Sequence, residues 1–444
     1  MSLSTTPSSI RPRFGLSSFT AALALLLLTA GASAQTTGGT GTTDATDATG
    51  TGTVTQLVTL APAAADDFKS NVLIATAETP LAAVTTVPVV FHYAVAADAH
   101  IESKPAPHGA TGHHYDQIVT ADELRQGVTL HTTVDQPILW IQPSMASRVA
   151  GGGAELVVAP ETWVIRRTDG SELSAGEALE WSGAEAGNLD VFPEGTSIAR
   201  LKSTVGQGPL VLAAPSLSGD ASYQVHVDEP SSAVGLHLVA AKAEHFHDEV
   251  ATFTARLVGG TAASITSMAG HVFSPSGDVW PVQFLRERDG SFTGSHRIDA
   301  LADLAPGPWT VHASAKGTDG TTVFERQVHT GFQVSLPTAE LLNTVEVSTD
   351  ATTSTFRFGV NAAAEGRYHV EGVIYGTSPT TGALVPAIAI QSADYFDQPG
   401  AGGVLEATVS LCGLAHLTPP FEIRDLRLMD QSRLSVVQRQ RVGL

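Results

Sequence analysis

From Val87 onward, apolar side chains recur at every second position along most of the chain. The first clear run, Val87 to Val95, places Val, Phe and Tyr side chains on one side of an extended segment. A period of two is that of a β-strand with one buried face. Similar runs continue towards the C-terminus, and turn signals such as Asp169-Gly170 and Asp289-Gly290 separate them. The pattern predicts an all-β protein.

One short helix is predicted among the strands, from Thr120 to Gly127. Thr120 is an N-cap residue, Glu123 completes a capping box three positions later, and Gly127 ends the helix. The stretch 171–190 mixes apolar residues with Glu and Gly at neither period, so the pattern assigns it no element.

The strands fall into tandem antiparallel β-sandwich domains. Residues 233–336 hold seven short predicted strands with a turn signal about every 8–12 residues, which is typical of an immunoglobulin-like sandwich. Boundaries at Asp228-Glu-Pro-Ser-Ser232 and at Leu336-Pro337 define an N-terminal β domain at 58–232 and a C-terminal β-sandwich at 337–444. The Thr/Gly-rich residues 35–57 are predicted to be a disordered, flexible linker.

The N-terminus has the three parts of a Sec-type signal peptide, residues 1–34. Arg11 and Arg13 precede an apolar run from Ala21 to Ala30, and Ala32-Ser33-Ala34 supplies the small residues for cleavage. The apolar run is shorter than the ~20 residues that a membrane-spanning helix needs. We expect cleavage after Ala34 and a periplasmic or secreted protein with no membrane span in its mature chain. An uncleaved membrane anchor is the alternative.

The charge of the chain and its cysteine content exclude one class of partner and one kind of crosslink. The chain has 44 acidic and 24 basic residues and a net charge of −20, which excludes nucleic acid as a partner. Its single cysteine, Cys412, allows no internal disulfide, and its apolar neighbours predict a buried, inert thiol.

Motifs of common enzyme classes are missing from the sequence. It contains no Gly-x-Ser-x-Gly elbow, no Gly-Lys dipeptide of a P-loop and no His-Glu pair of a zinc-protease helix. We therefore predict no catalytic residues and no organic cofactor, and we favour a protein that is not an enzyme.

Histidines are the main candidates for chemistry, since neutral imidazole is a common ligand of divalent metals. The densest run, between His92 and His114, is interleaved with carboxylates, and the candidate ligands in it are His108, His113 and His114. A second candidate is His245 with His247, because residues i and i+2 of a strand point the same way. A solvated loop and a polar strand entry are the alternatives for these two groups.

Two stretches carry a family resemblance. The first is His114-Tyr-Asp-Gln-Ile-Val-Thr-Ala-Asp-Glu-Leu-Arg-Gln-Gly-Val-Thr-Leu130 with Ile138-Leu-Trp-Ile-Gln-Pro143, and the second is Phe421-Glu-Ile-Arg-Asp-Leu-Arg-Leu-Met-Asp-Gln-Ser-Arg433. Together they resemble a bacterial secreted family known as domain of unknown function 4785. The resemblance implies exported tandem β-sandwiches and brings no catalytic residues. Segments such as Gly307-Pro-Trp-Thr-Val311 also resemble immunoglobulin-like modules of the invasin and macroglobulin type.

Three functional hypotheses remain open. The leading one is an exported, non-enzymatic binding or scaffold protein whose partner is a protein or glycan at the cell envelope. The second is a metal-dependent or accessory hydrolase with its site near His92–His114. The third is a carbohydrate-binding protein that uses Trp140, Trp163 or Trp181 as a stacking platform.

Overall fold

The computed structural model describes residues 53–76, 84–151, 156–183, 192–260, 262–299, 301, 305 and 307–444. The signal peptide predicted at 1–34 and most of the linker predicted at 35–57 lie outside these residues. The described chain is almost entirely β-structure in several antiparallel sheets, so the all-β fold class is confirmed. Among the described residues, no helix has both the length and the apolar character needed to span a membrane.

Four short strands come first, followed by the N-terminal unit. The early strands are β1 (Val54–Thr59), β2 (Phe68–Lys69), β3 (Val89–Ala94) and β4 (Gly109–Gly112). The N-terminal unit contains, in chain order, β5 (His114–Thr120), α1 (Ala121–Gln126), β6 (Val128–Thr132), β7 (Ile138–Pro143), α2 (Met145–Gly151), β8 (Val164–Arg166), β9 (Glu172–Ser174), α3 (Ala175–Ala178), β10 (Leu179–Gly183), β11 (Ser197–Leu201), β12 (Gly208–Ala213) and β13 (Ser222–Asp228).

The middle and C-terminal units contain the longer strands. The middle unit consists of β14 (Gly235–Ala240), β15 (Glu244–Phe246), β16 (Val250–Val258), β17 (Ala263–Phe273), β18 (Val279–Val282), β19 (Phe284–Arg286), β20 (Phe292–Arg297), β21 (Trp309–Asp319) and β22 (Thr322–Ser335). The C-terminal unit consists of β23 (Ala339–Thr349), β24 (Thr353–Ala362), β25 (Gly366–Thr377), β26 (Leu384–Phe396), β27 (Gly403–Ser410), β28 (Thr418–Asp430) and β29 (Ser435–Val442).

Each unit has its own apolar core between two sheets. In the N-terminal unit, the sheet β6-β12-β8-β9 shares a core with the strands β10-β11-β7-β13-β5. In the middle unit, β19-β20-β16-β14-β4 shares a core with β22-β21-β17-β18. In the C-terminal unit, β1-β23-β24-β27 packs on β2-β29-β28-β25-β26-β3. Strand β5 of the N-terminal unit pairs with β22 of the middle unit. The strands β10-β11-β7-β13-β5 and β22-β21-β17-β18 therefore form one continuous sheet, and β15, which pairs with β22, is its tenth strand.

The predicted strand β21 and helix α1 are confirmed. In β21, Trp309, Val311 and Ala313 are buried and His312 is exposed, as the period of two predicts. Helix α1 has the expected capping box, with Thr120 accepting from the backbone of Glu123. The unassigned stretch 171–190 forms β9, α3 and β10 in its described part, and a second capping box, Ser174 with Glu177, begins α3.

The three described strands before residue 95 pair with strands of the C-terminal unit. Strands β1, β2 and β3 pair with β23, β29 and β26 respectively. Val54–Leu57 therefore form part of a paired strand where a flexible linker was expected, and β2 and β3 pair outside the N-terminal unit in which they were expected. Phe68 also stacks on Phe246 of the middle unit, with ring centroids 3.8 Å apart. Such pairing joins residues almost 300 positions apart in sequence, so no local pattern predicts it.

Strand β3 differs from its prediction in burial. The strand forms at Val89–Ala94, but all six of its side chains are exposed. It is the last strand of its sheet and, within the described residues, it pairs only with β26. An alternating pattern therefore predicted the strand correctly and its buried face wrongly.

Cys412 is another correction. It lies in the 3-10 helix Leu411–Leu414 and is exposed, whereas its apolar neighbours predicted a buried thiol. Leu414 of the same turn is the residue that packs into the core. The short helix thus turns the cysteine outward while it buries the leucine.

A buried ion pair joins the N-terminal and middle units. Arg326 of β22 and Glu229, the residue after β13, have no exposed side-chain surface, and their Nη1 and Oε2 atoms lie 2.8 Å apart. Arg326 also donates to the hydroxyls of Thr133 and Ser232, each at 2.8 Å. These contacts fix β22 against β13 and therefore fix the sheet face described next.

Candidate functional site

A cluster of polar side chains lies on the outer face of the ten-stranded sheet, where β5 and β13 run side by side. Their register places His226 opposite Asp116 and Asp228 opposite His114. Directly opposed residues of an antiparallel pair point to the same face, so these four side chains share one surface. Alternate residues of the same strands, including Tyr115 and Val227, fill the core beneath. Packing thus holds the cluster on a rigid support.

Three of these side chains have the geometry of a metal site. One ligand atom each from His114, His226 and Asp228 lies within 4.8 Å of the other two. The imidazole centroids of His114 and His226 are 5.0 Å apart. Imidazole nitrogen and carboxylate oxygen are ligands that suit Zn²⁺ and related transition metals. The three groups therefore fit a divalent ion with an N₂O set of protein ligands.

A second layer of contacts orients His226. Its Nδ1 lies 2.5 Å from Oδ1 of Asp116, which leaves Nε2 as the atom for a metal. This carboxylate–histidine arrangement is the usual outer contact of a metal-binding imidazole. The main chain of Asp116 is held by Gln327, whose Nε2 donates to the carbonyl and whose Oε1 accepts from the N–H, both at 3.1 Å. The middle unit therefore contributes to the position of a ligand in the N-terminal unit.

Burial and charge keep the cluster ready to bind a cation. Burial raises the pKa of the Asp116 carboxyl, but the hydrogen bond and the charge of His226 outweigh it, so this pKa lies below its usual value. Burial and the neighbouring His226 lower the pKa of His114, against the opposing effect of Asp116 and Asp228. A lowered pKa keeps the His114 ring neutral at pH 7, and the neutral ring is the form that binds metal.

Trp140 closes one side of the site. Its ring stacks on His226 with centroids 3.4 Å apart and planes inclined by 12°. Phe192 meets Trp140 edge-on, with ring centroids 6.0 Å apart. Such stacking fixes the imidazole plane and shields it from water, and it leaves His226 only 8% exposed.

Of the histidines predicted between 92 and 114, the structure brings His114 into the cluster. His92 lies on β3 in the C-terminal unit. His108 is exposed, with its Nδ1 2.9 Å from Oγ1 of Thr330. His113 packs against Gly235, and its Nδ1 is buried without a hydrogen-bond partner in the described chain. The predicted set of His108, His113 and His114 is therefore spread over separate surroundings.

The second predicted pair also faces separate surroundings. His245 is 1% exposed, and its Nδ1 lies 3.3 Å from Oε2 of Glu249. His247 has its Nδ1 3.9 Å from Oδ1 of Asp299. The two imidazoles thus have different carboxylate neighbours, and chelation of one ion by both stays a prediction.

Sequence reasoning missed His226 and Asp228. Both alternate with core residues in the run Tyr223-Gln-Val-His-Val-Asp228, so their outward direction was readable. His114 and Asp116 have the same His-x-Asp spacing on β5. Two short His-x-Asp strands were a signal, but the pairing that brings them together joins distant parts of the sequence.

The three tryptophans predicted as a sugar platform lie in different surroundings. Trp163 is 1% exposed, and its Nε1 donates to the carbonyl of Val158 at 3.2 Å. Trp181 is 43% exposed on β10, while Trp140 belongs to the histidine cluster. Trp163 is therefore too buried to contact a sugar, and carbohydrate binding through Trp140 or Trp181 stays a prediction.

The fold and the site define a class of protein, tandem β-sandwiches with a histidine-bearing sheet face. The family model described as domain of unknown function (DUF4785), N-terminal domain, matches residues 80–229. That of the C-terminal domain of the same family matches residues 338–444. The chain belongs to the DUF4785 family, and the resemblance noted in its sequence is confirmed.

Solved structures agree at the level of the fold. A crystal structure of a DUF4785 family protein from Legionella pneumophila subsp. pneumophila str. Philadelphia 1 matches with a TM-score of 0.68 and 18% identity, over 85% of this chain and 98% of that one. Trypsin-activated alpha-2-macroglobulin from Escherichia coli matches with a TM-score of only 0.19 and 10% identity, over 68% of this chain and 21% of that one. The second value is too low to carry an argument. A search of curated proteins gave no match.

Proposed function

We propose that the protein is an exported, non-enzymatic binding protein whose ligand is a divalent transition-metal ion, with Zn²⁺ as the reference ion. The observation that carries this proposal is the convergence of His114, His226 and Asp228 within 4.8 Å on a packed sheet. Zinc–nitrogen and zinc–oxygen bonds of about 2.0–2.2 Å need only small side-chain movements from that spacing.

Asp116 is a positioning residue in this proposal. Its carboxylate holds Nδ1 of His226, so that Nε2 of the same ring is presented to the ion. Loss of an outer contact of this kind typically lowers metal affinity by about 10–100-fold. Asp116→Ala is therefore expected to weaken binding by that factor and to leave the stoichiometry unchanged.

The proposal is tested by metal analysis of the purified full chain. The chain is dialysed against Zn²⁺ and then against metal-free buffer, and the metal is measured by elemental analysis and by competition with a chromogenic chelator. We expect tightly held zinc in the wild-type chain and its loss in His226→Ala and Asp228→Asn. His416→Ala, an exposed histidine in the C-terminal unit, is the matched control and keeps the metal. Wild-type chain that releases all zinc to the buffer refutes the proposal.

Export is the second part of the proposal, and the N-terminal sequence supports it. Arg11, Arg13 and the apolar run to Ala30 match the order of parts in a signal peptide. Expression in a Gram-negative host and sequencing of the mature N-terminus should give Gln35 as the first residue. A chain retained in the cytoplasm with its first 34 residues intact contradicts this part alone.

A metal-dependent hydrolase is the second candidate function. Three protein ligands leave a coordination position for water, as in catalytic zinc sites. A cleft of about 440 Å³ also lies beside the cluster, and Asp116 and Gln327 line it. Zinc-loaded wild-type chain and His226→Ala are compared on a panel of esters, phosphoesters and peptides. Hydrolysis by the wild type alone favours the enzyme, and the same rate in both favours the binding protein.

A further inference from the structure

A second row of histidines crosses the same outer face, on the middle unit. His312 of β21 lies directly opposite His329 of β22. His271 of β17 lies directly opposite His312 on the other side. All three are exposed. The three imidazoles therefore form one cross-strand row on solvent-facing sheet surface.

The spacing of this row suits a shared ion. The rings of His312 and His329 are 5.0 Å apart between centroids, with planes inclined by 21°. Opposed side chains in an antiparallel pair start from Cβ atoms only about 4.5–5.5 Å apart. Among the described residues, only the first cluster already brings three ligand atoms within 4.8 Å. In the second row, binding of one ion requires the exposed imidazoles to turn towards a common point.

The strands beneath the row are rigid. Val311, Ala313 and Val328 alternate with the histidines and are at most 3% exposed in the core of the middle unit. Phe273, next to the row, contacts His312 with ring centroids 4.5 Å apart. The backbone of both strands is thus fixed by packing, and only the imidazoles move when an ion binds.

The electrostatics of the row favour a neutral ligand set. Partial burial of the ring, together with the neighbouring His329 and His271, lowers the pKa of His312 to about 4. Like charges directly opposite each other destabilise a sheet, so a row of three imidazoles is a poor structural choice unless it stays neutral or shares a cation. Neutral imidazoles bind a metal without first losing a proton.

We propose that His312 and His329, with His271 as a third ligand, form a second metal site that takes a divalent ion with a strong preference for imidazole nitrogen, Cu²⁺ above all. Affinity for such sites rises along the first-row series to Cu²⁺, and imidazole suits this ion. Two or three nitrogens with water in the remaining positions form a weaker and more exposed site than the first. The proposal uses other residues on other strands than the site at His114, and of these His329 lies close enough to His114 to contribute to lowering the pKa of that ring.

The test is a Cu²⁺ titration of the full chain, followed by calorimetry and by electron paramagnetic resonance. We expect two Cu²⁺ sites in the wild type. The double variant His312→Asn/His329→Asn should lose one of them, together with its nitrogen couplings in the resonance spectrum. His226→Ala should lose the other one, and His416→Asn should lose neither. Because the exposed pair contributes little packing, a melting curve close to that of the wild type is expected for the double variant.

Two outcomes overturn the proposal. One is an unchanged number of Cu²⁺ sites in the double variant. The other is a single site in the wild type that His226→Ala removes. A double variant that loses one site while His226→Ala still binds one ion supports the second site, even if the first site fails its own zinc test.

Discussion

Replacement of Arg326 by methionine is expected to destabilise the protein by about 3–5 kcal/mol, the cost of leaving one member of a buried ion pair without its partner. Arg326 and Glu229 are both 0% exposed and lie 2.8 Å apart. The guanidinium also donates to Val234 O and to the hydroxyls of Thr133 and Ser232, each at 2.8 Å. Methionine matches the aliphatic volume of arginine and makes none of these bonds.

The remaining carboxylate determines the size of the effect. After the substitution, Glu229 still accepts from the backbone N–H groups of Thr133 and Val134, at 2.6 and 3.1 Å. Two backbone donors reduce the penalty but do not neutralise a buried charge. The double variant Arg326→Met/Glu229→Leu removes both charges, so it should recover part of the lost stability.

Urea unfolding, followed by tryptophan fluorescence and circular dichroism, measures this prediction. With a slope of about 3 kcal/mol per molar urea, the upper value for small domains, a loss of 3–5 kcal/mol lowers the midpoint by roughly 1–1.7 M. The control is Arg297→Met, which removes an exposed ion pair with Asp248 and should leave the midpoint unchanged. The reasoning fails if Arg326→Met shifts the midpoint no more than this control does. It also fails if the double variant loses as much stability as Arg326→Met and Glu229→Leu do when their separate losses are added.

Three further predictions address local structure and pH. Thr120→Ala removes the N-cap of α1 and should cost about 1 kcal/mol in thermal unfolding, whereas Thr120→Ser should retain most of the stability. Gly112→Ala places a Cβ 1.8 Å from the carbonyl oxygen of Gln327, so it should lower the free energy of unfolding by about 1–3 kcal/mol or more. Its control, Gly176→Ala in α3, meets open space and should raise the free energy of unfolding by about 0.5–1 kcal/mol. Burial and its two histidine neighbours lower the pKa of His312 to about 4, below the unfolded value of 6.5, so the unfolded chain binds more protons between these values and stability falls as the pH falls through them. His312→Asn should flatten that part of the stability–pH curve, and an unchanged slope contradicts the assignment.

The sequence alone determined the class of structure and most of its local elements. Alternation in β21 and β22 follows from the pleat, because one face of each strand meets a core and the other meets water. Capping box and glycine predicted α1 for an equally local reason, since a helix N-terminus is satisfied by residues within one turn. The outward direction of His312 was readable from the same pattern.

Only the tertiary structure decided which strands are neighbours. The cluster of His114, His226 and Asp228 exists because β5 lies beside β13. The row of His271, His312 and His329 exists because three strands of the middle unit are in register. Strand β1 joins the C-terminal unit although it follows a Thr/Gly-rich stretch in the sequence. Periodicity tells which face a side chain occupies, but pairing is chosen by the fit of whole sheets over their cores, which is a property of the entire chain.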